Sequence, residues 1–315
     1  MTKYILKRIL IAIPTLLGIT IIDYAIMCFA GSPLEMLQGA RISQEAIAAK
    51  EAAMGLDKPF YIQYFIWLGQ LLSGNMGYSV KSYEAVSAMI GSHLGPTLLL
   101  MGVSLIVSLI MSVPAGIYSA IHQYSKGDYA VVTASFFGSS IPGFFLSLLL
   151  VYLFTVNLGI LPSGGMTTLG TAGGAADVAV HMVMPVLVLS VSMAGTNIRY
   201  IRSAMLEILQ QDYLRTARAK GIGRRMVIYK HALRNALLPV VTYIGPMVAS
   251  IVTGSFVIET VFGIPGVGQL FTDSIVNRDY PLIMGITVFF AVLLVLAVLI
   301  VDLVYVLIDP RIKLD

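Results

Sequence analysis

Six long apolar runs, parted by stretches where polar residues gather, shape this chain of 315 residues. They lie at about Ile9–Ala30, Thr97–Ile121, Ala130–Val156, Val180–Ile198, Ala236–Ile258 and Leu282–Ile308. Each is long enough to cross about 30 Å of hydrocarbon as a helix. Lipid offers no partner for a bare backbone N–H or C=O, and the runs neither alternate nor stop at the length of a barrel strand. They therefore predict transmembrane α-helices. Pro114, Pro142, Pro185, Pro239 and Pro246 fall inside four of the six runs. Soluble helices rarely tolerate interior proline, so this pattern predicts kinked spans that bend around a cavity.

The polar stretches differ in kind. Gly31–Gly95 is the one sizeable piece outside the runs. Within it, Ser43–Met54 reads as a helix capped by Ser43 and stopped by Gly55, and Pro59–Leu72 as an amphipathic helix rich in aromatics. About sixty residues are too few for an independent core, so this piece is expected to cap one mouth of the bundle. Asn157–Ala179 is rich in Gly and Thr and predicts an irregular loop. In Arg199–Asn235, a helix-forming Leu214–Lys220 is stopped by Gly221-Ile222-Gly223. A second helical stretch, Arg224–Leu238, ends at Pro239. A short helix, a glycine turn and a second helix make a knob that fits a groove on a partner protein.

Composition agrees with a membrane protein: 57% of residues are hydrophobic and 11% charged, against about 25% charged in soluble domains. Charge then sets the orientation. Arg199–Asn235 holds nine Arg or Lys against two acids, Glu207 and Asp212. With the N-terminus inside, the cytoplasmic segments carry fifteen basic residues and the external ones five, which predicts both termini and the basic loop in the cytoplasm. The net charge of +4 is explained by these loops, so no nucleic-acid partner is called for. The lone Cys28 lies in an apolar run, and the four His are scattered, with no metal-ligand spacing and no catalytic constellation. Asp23 and Asp302 lie inside spans, where acids are costly and often functional; a structural role is expected for Asp302 and a minority case for ion coupling kept for both.

The knob carries a resemblance. Arg215-Thr-Ala-Arg-Ala-Lys-Gly-Ile-Gly223, followed by His231-Ala-Leu-Arg-Asn-Ala-Leu-Leu-Pro239, resembles the cytoplasmic "EAA" coupling loop of ABC import permeases, in the form used by dipeptide and oligopeptide permeases. With Gly221 as anchor, Arg215-Thr216-Ala217 stands in the place of Glu-Ala-Ala, and His231–Arg234 in that of Ile-x-Leu-Pro. These departures from the broad motif are usual in the peptide branch. Glu259-Thr-Val-Phe-Gly-Ile-Pro-Gly-Val-Gly-Gln-Leu270, Asn277-Arg-Asp-Tyr-Pro281, the closing Asp309-Pro310-Arg311 and the opening Tyr4-Ile-Leu-Lys-Arg-Ile9 with Pro14-Thr-Leu-Leu-Gly18 are similar to the same branch.

The resemblance implies an all-α polytopic protein with six transmembrane helices of the type I ABC importer kind. Residues 1–30 would form the N-terminus and first helix, 31–95 an external cap, and 96–315 a five-helix core containing the coupling loop 199–235. It implies a multi-pass subunit of a bacterial or archaeal inner membrane, importing short peptides. Its partners would be a homologous second permease, two ABC ATPases, an extracytoplasmic substrate-binding protein and membrane lipid. No phosphate cradle occurs in the sequence. The chain is thus expected to hold no cofactor and to be no enzyme, with ATP and magnesium on the ATPases.

Arg215, Thr216, Ala217, Arg218, Ala219, Lys220, Gly221, Arg224 and Arg225 are the candidate coupling residues. Thr242, Gly245, Ser250, Thr253, Gly254 and Ser255, with Ser190, Ser192, Thr196 and Asn197, are candidates for the translocation path, although small residues also serve helix packing. The alternatives are a permease for a nickel chelate, glutathione or an oligosaccharide, an ion-coupled secondary carrier, or a membrane-embedded enzyme.

Overall fold

The computed structural model describes residues 2–30, 58–170, 173–233, 235–236 and 256–308. Its helices are α1 (Thr2–Ala30), α2 (Phe60–Leu72), α3 (Val86–Ile121), α4 (Lys126–Ser140), α5 (Gly143–Leu150, continued by a π-helical Val151–Asn157) and α6 (Ala175–Leu209). Then come α7 (Asp212–Ala219), α8 (Arg224–Met226, continued by a π-helical Val227–Ala232), α9 (Phe256–Phe262), α10 (Val267–Val276) and α11 (Tyr280–Ile308). Among the described residues there is no strand, only an isolated bridge between Tyr78 and Ala85. Four of these helices are long and apolar enough to cross a membrane.

The fifth expected span, Ala236–Ile258, falls almost wholly outside the described residues, as does the expected helix Ser43–Met54. The second span starts earlier than its apolar run, at Val86, and takes in Pro96 as well as Pro114. The fourth runs on to Leu209, so the first eleven residues of the basic stretch prolong a membrane helix.

The third span departs most from expectation. It is not one kinked helix but two, α4 and α5, bent by 96°. A proline forces the residue before it out of the helical region. Ile141 accordingly ends α4 with ψ near 123°, Pro142 is extended, and α5 restarts at Gly143.

Packing centres on α6, which lies parallel to α3 and against α4. Ser104, Ser108 and Ser112, one turn apart on α3, are all fully buried. Ser190 Oγ donates to the Ser104 carbonyl at 3.1 Å and Asn197 Nδ2 to Ser108 Oγ at 3.0 Å. Small residues bring the backbones together, as membrane helices require in the absence of a hydrophobic force between them. A Cβ on Gly116 would stand 2.8 Å from Ile201, and one on Gly138 3.0 Å from Val191. The bundle thus has one end where α3 and α6 finish beside α7 and α8, called here the basic end, and an opposite end built from residues 76–85, 158–170 and 263–279.

Candidate functional site

At the basic end α6 finishes at Leu209 and a short turn starts α7. Leu214 is the hinge of the knob's packing. It is fully buried, with Val227, Ile228, Ala232 and Ala236, against Ile117 and Ala120 of α3 and Ile201, Ala204 and Met205 of α6. The spacing of Leu214, Ala217 and the α8 residues gives each helix one apolar face, which the ends of α3 and α6 cover.

The turn between the two helices needs glycine. Gly221 has φ +79°, a left-handed backbone that other residues adopt at a cost. It lets the Ile222 N–H reach the Ala217 carbonyl at 3.3 Å and close the end of α7.

The polar face of the knob is open. Arg215, Thr216, Ala219, Lys220, Gly221 and Arg225 are exposed, and Ala217 is half-buried on the apolar seat. Arg218 and Arg224 lie in α7 and α8. Asp212 approaches Arg215 at 3.5 Å on the surface, where screening leaves such a pair little strength. Tyr213, Met226 and Tyr229 are also exposed between the cations. The arrangement offers a partner an apolar and aromatic surface ringed by positive charge. Among the described residues no cluster of His, Cys, Asp or Glu could hold a metal ion.

Beneath the knob lies an ion pair that sequence reasoning missed. Asp128, in the first turn of α4, is 2% exposed. Arg202 meets it as a fork, Nε donating to Oδ1 at 2.9 Å and Nη2 to Oδ2 at 2.8 Å. Ser119 Oγ donates to Oδ1, and the Tyr124 N–H to Oδ2 at 2.9 Å. Arg202, Ser119 and Tyr124 thus satisfy both oxygens of this carboxylate. About two to three turns further along α4, Arg199 of α6 donates to the Ser135 carbonyl at 3.2 Å and to Ser139 Oγ at 2.9 Å, and lies over the Phe136 ring.

The opposite end is held by acids of another kind. Glu259 in α9 is fully buried. Its Oε1 accepts from Thr97 Oγ1 at 3.0 Å and its Oε2 from the Gln269 N–H at 3.1 Å, while Thr97 Oγ1 accepts the Val267 N–H at 2.8 Å. Thr97 and Glu259 together cap the start of α10. The glycines of the Gly-Ile-Pro-Gly-Val-Gly stretch explain themselves here. A Cβ on Gly266 would fall on Glu259 Oε2 and Thr97 Oγ1, and one on Gly268 would stand 2.7 Å from Oε2.

Asp279, also buried, accepts from Ser79 Oγ and, at 3.2 Å, from the Val80 N–H, pinning the 76–85 hairpin to α11. Asp177 accepts from the N–H and hydroxyl of Thr168 at 2.7 and 2.8 Å, tying the irregular 158–170 loop to the start of α6.

Of the path candidates, Asn197 and Ser190 are buried in the α3–α6 seam, whereas Ser192 and Thr196 on the same helix are half-buried. Thr242, Gly245, Ser250, Thr253, Gly254 and Ser255 lie outside the described residues. Asp23 is buried beside Thr20, Tyr24 and Tyr64, and its Oδ2 has no hydrogen-bond partner among the described residues. Tyr64 OH and Thr20 Oγ1 stand 3.0 Å apart, and Tyr24 OH donates to Gln63 Oε1 at 3.1 Å, so this cluster joins α1 to α2.

Comparison with known proteins matches this architecture. A family described as "Binding-protein-dependent transport system inner membrane component" matches residues 112–314, and its N-terminal companion matches residues 1–101. The oligopeptide transport system permease protein AppB of Bacillus subtilis is 46% identical over 99% of this chain and 100% of its own. The oligopeptide permease OppB of Escherichia coli is 39% identical over 99% and 100%. Among solved structures, the methionine ABC transporter MetNI in an inward-facing conformation superposes with a TM-score of 0.58 at 18% identity, covering 70% of this chain and 96% of that one. The last likeness speaks for the fold alone. The chain belongs to the binding-protein-dependent transport system inner membrane component family, and is a membrane permease subunit of such a transport system.

Proposed function

We propose that this permease imports short peptides. The observation that carries this reading is the end-to-end alignment with permeases named for oligopeptide transport. The permease works beside a homologous second permease and accepts peptide from an extracytoplasmic binding protein. The knob of α7 and α8 seats in a groove of one ATPase, with Arg215, Arg218, Lys220, Arg224 and Arg225 meeting acids on its rim. ATP and magnesium stay on the two ATPases, and this chain holds neither. The basic end faces the cytoplasm, as fifteen basic residues against five favour. Closure of the ATPase pair would move the knob, and α3 and α6, which share its apolar seat, would carry that motion into the bundle as a rigid-body switch.

Reconstitution tests the reading. The chain purified alone should neither bind nor hydrolyse ATP. In vesicles with its ATPases, second permease and binding protein, uptake of labelled di- to pentapeptides should need ATP and survive collapse of the proton gradient. Gradient-driven uptake by this chain alone would overturn the reading in favour of a secondary carrier. ATP-driven uptake of a nickel chelate, glutathione or an oligosaccharide, but of no peptide, would overturn the substrate class alone.

A further inference from the structure

The knob rests on α3 and α6 through apolar contacts. Residues from 113 to 121 of α3 and from 200 to 209 of α6 make that seat, and no residue of α4 belongs to it. Yet α4 leads directly to the 96° break in the third span. Two polar ties run from α4 to this unit: Ser135 and Ser139 accept from Arg199 of α6, and Asp128, the ionic one, binds Ser119 of α3 and Arg202 of α6 at once.

The nature of the ionic tie differs from its surroundings. Apolar packing has no preferred direction, so packed helices can slide. A guanidinium fork on a carboxylate fixes distance and plane together. The carboxylate is almost wholly removed from solvent and the guanidinium is half-buried, so water weakens the pair less than it would on the surface. It also holds a strained backbone: Tyr124, which is not glycine, has φ +64°, and its N–H is one of the four donors on Asp128. The Asp128 N–H in turn donates to Ser125 Oγ at 3.1 Å, so the same turn caps α4. Strain kept in place by this ion pair marks a junction whose shape is held in one form.

We infer that Asp128 and Arg202, joined by Ser119, are positioning residues for transport. They form the rigid joint through which displacement of the ATPase-coupling knob reaches α4 and the broken third span. The inference rests on the proposed coupling role of the knob. With the joint intact, α3, α4 and α6 move as one body at the basic end. With the joint cut, α3 and α6 still follow the knob, α4 does not, and ATP is hydrolysed without opening the path.

The test uses the full complex reconstituted in vesicles with ATPases, second permease and binding protein, and labelled di- to pentapeptides as the probe. Two quantities are read: peptide taken up per ATP hydrolysed, and the amount of assembled complex. Asp128→Asn keeps the shape and removes the charge. We expect uptake per ATP to fall about tenfold while hydrolysis per complex stays within about twofold. Arg202→Lys keeps the cation and loses the fork, and should lower the ratio about threefold. It is the reading that counts if Asp128→Asn does not assemble. Ser119→Ala, which removes one donor from four, should have the smallest effect in the same direction.

An unchanged ratio in Arg202→Lys and in any assembled Asp128→Asn would overturn the joint. So would a loss of uptake that follows the loss of assembled complex, since that is what a purely structural pair would give. The wild-type arm separates this from the parent reading. If wild-type vesicles take up no peptide in an ATP-dependent way, the proposed function fails; if they do and the variants keep the ratio, only the joint fails.

Discussion

The two ends of the bundle are built on different physics. At the opposite end, carboxylates accept backbone N–H groups and hydroxyls: the buried Glu259 caps α10 with Thr97, the buried Asp279 pins the 76–85 hairpin, and the half-buried Asp177 ties down Thr168. Each bond has a direction, and the glycines around Glu259 leave no room for adjustment. At the basic end, the knob is keyed by Leu214 and its apolar seat, Arg215, Lys220 and Arg225 are exposed on it, and the pair of the buried Asp128 with Arg202 supplies the only fork between a carboxylate and a guanidinium among the described residues. Hydrogen-bonded staples give a face of fixed shape, suited to receiving a delivered solute. An apolar seat under a charged surface gives a part that can be gripped and moved from outside.

The contrast presumes that the ends face opposite sides of the membrane, and the largest expected effect tests that. In a Cys28→Ala background, Tyr78→Cys should be labelled in intact cells by an impermeant thiol reagent and Gly223→Cys should not. The reverse pattern would invert the assignment of the two ends.

Next in size is the knob. Gly221→Pro removes the left-handed turn, and Ala219→Glu places an acid on the exposed coupling face. Both should abolish most peptide uptake at wild-type membrane levels, and wild-type uptake by both would remove the role assigned to the knob.

Two truncations then compare the ends directly. Glu259→Ala leaves Thr97 and the Gln269 N–H without their acceptor and should destabilise the purified protein by about 3 kcal/mol. This would be seen as a clear fall in its melting temperature in detergent. Leu214→Ala should cost about 2–5 kcal/mol locally, but its signature is different: easier proteolysis of the knob and weaker ATPase association, with the melting temperature of the bundle moved less. If both variants melt the bundle equally, the ends are not separate units.

The smallest effect is expected at Lys81, whose exposed Nζ donates to Asn277 Oδ1 at 2.9 Å. Lys81→Ala should change stability by no more than about 0.5 kcal/mol.

Much of this was legible in the residues. Among the described residues the apolar runs located the spans, and Gly221 between two helix-forming stretches located the knob. The Gly and Thr of 157–179 marked an irregular loop, as found over 158–170 and 173–174, the next helix starting already at Ala175. Pro142 announced a bend but not its size, since the same residue permits a mild kink or a full break. Arg202 was counted among nine loop cations, and nothing nearby in sequence marked it as half-buried and paired. Glu259 offered a hint, an acid at the end of an apolar run followed by closely spaced glycines, but its partner Thr97 is 162 residues away.

What the sequence determined by itself is whatever depends on local chemistry. A long apolar run must be helical in lipid, basic loops decide orientation by their number, and a glycine pair ends a helix wherever it stands. What only the tertiary structure decided is which charge meets which. Asp128 finds Arg202 across 74 residues, and Ser79 finds Asp279 across 200. Such pairs form because a buried carboxylate must be satisfied by donors close in space, and closeness in space is set by the packing of whole helices.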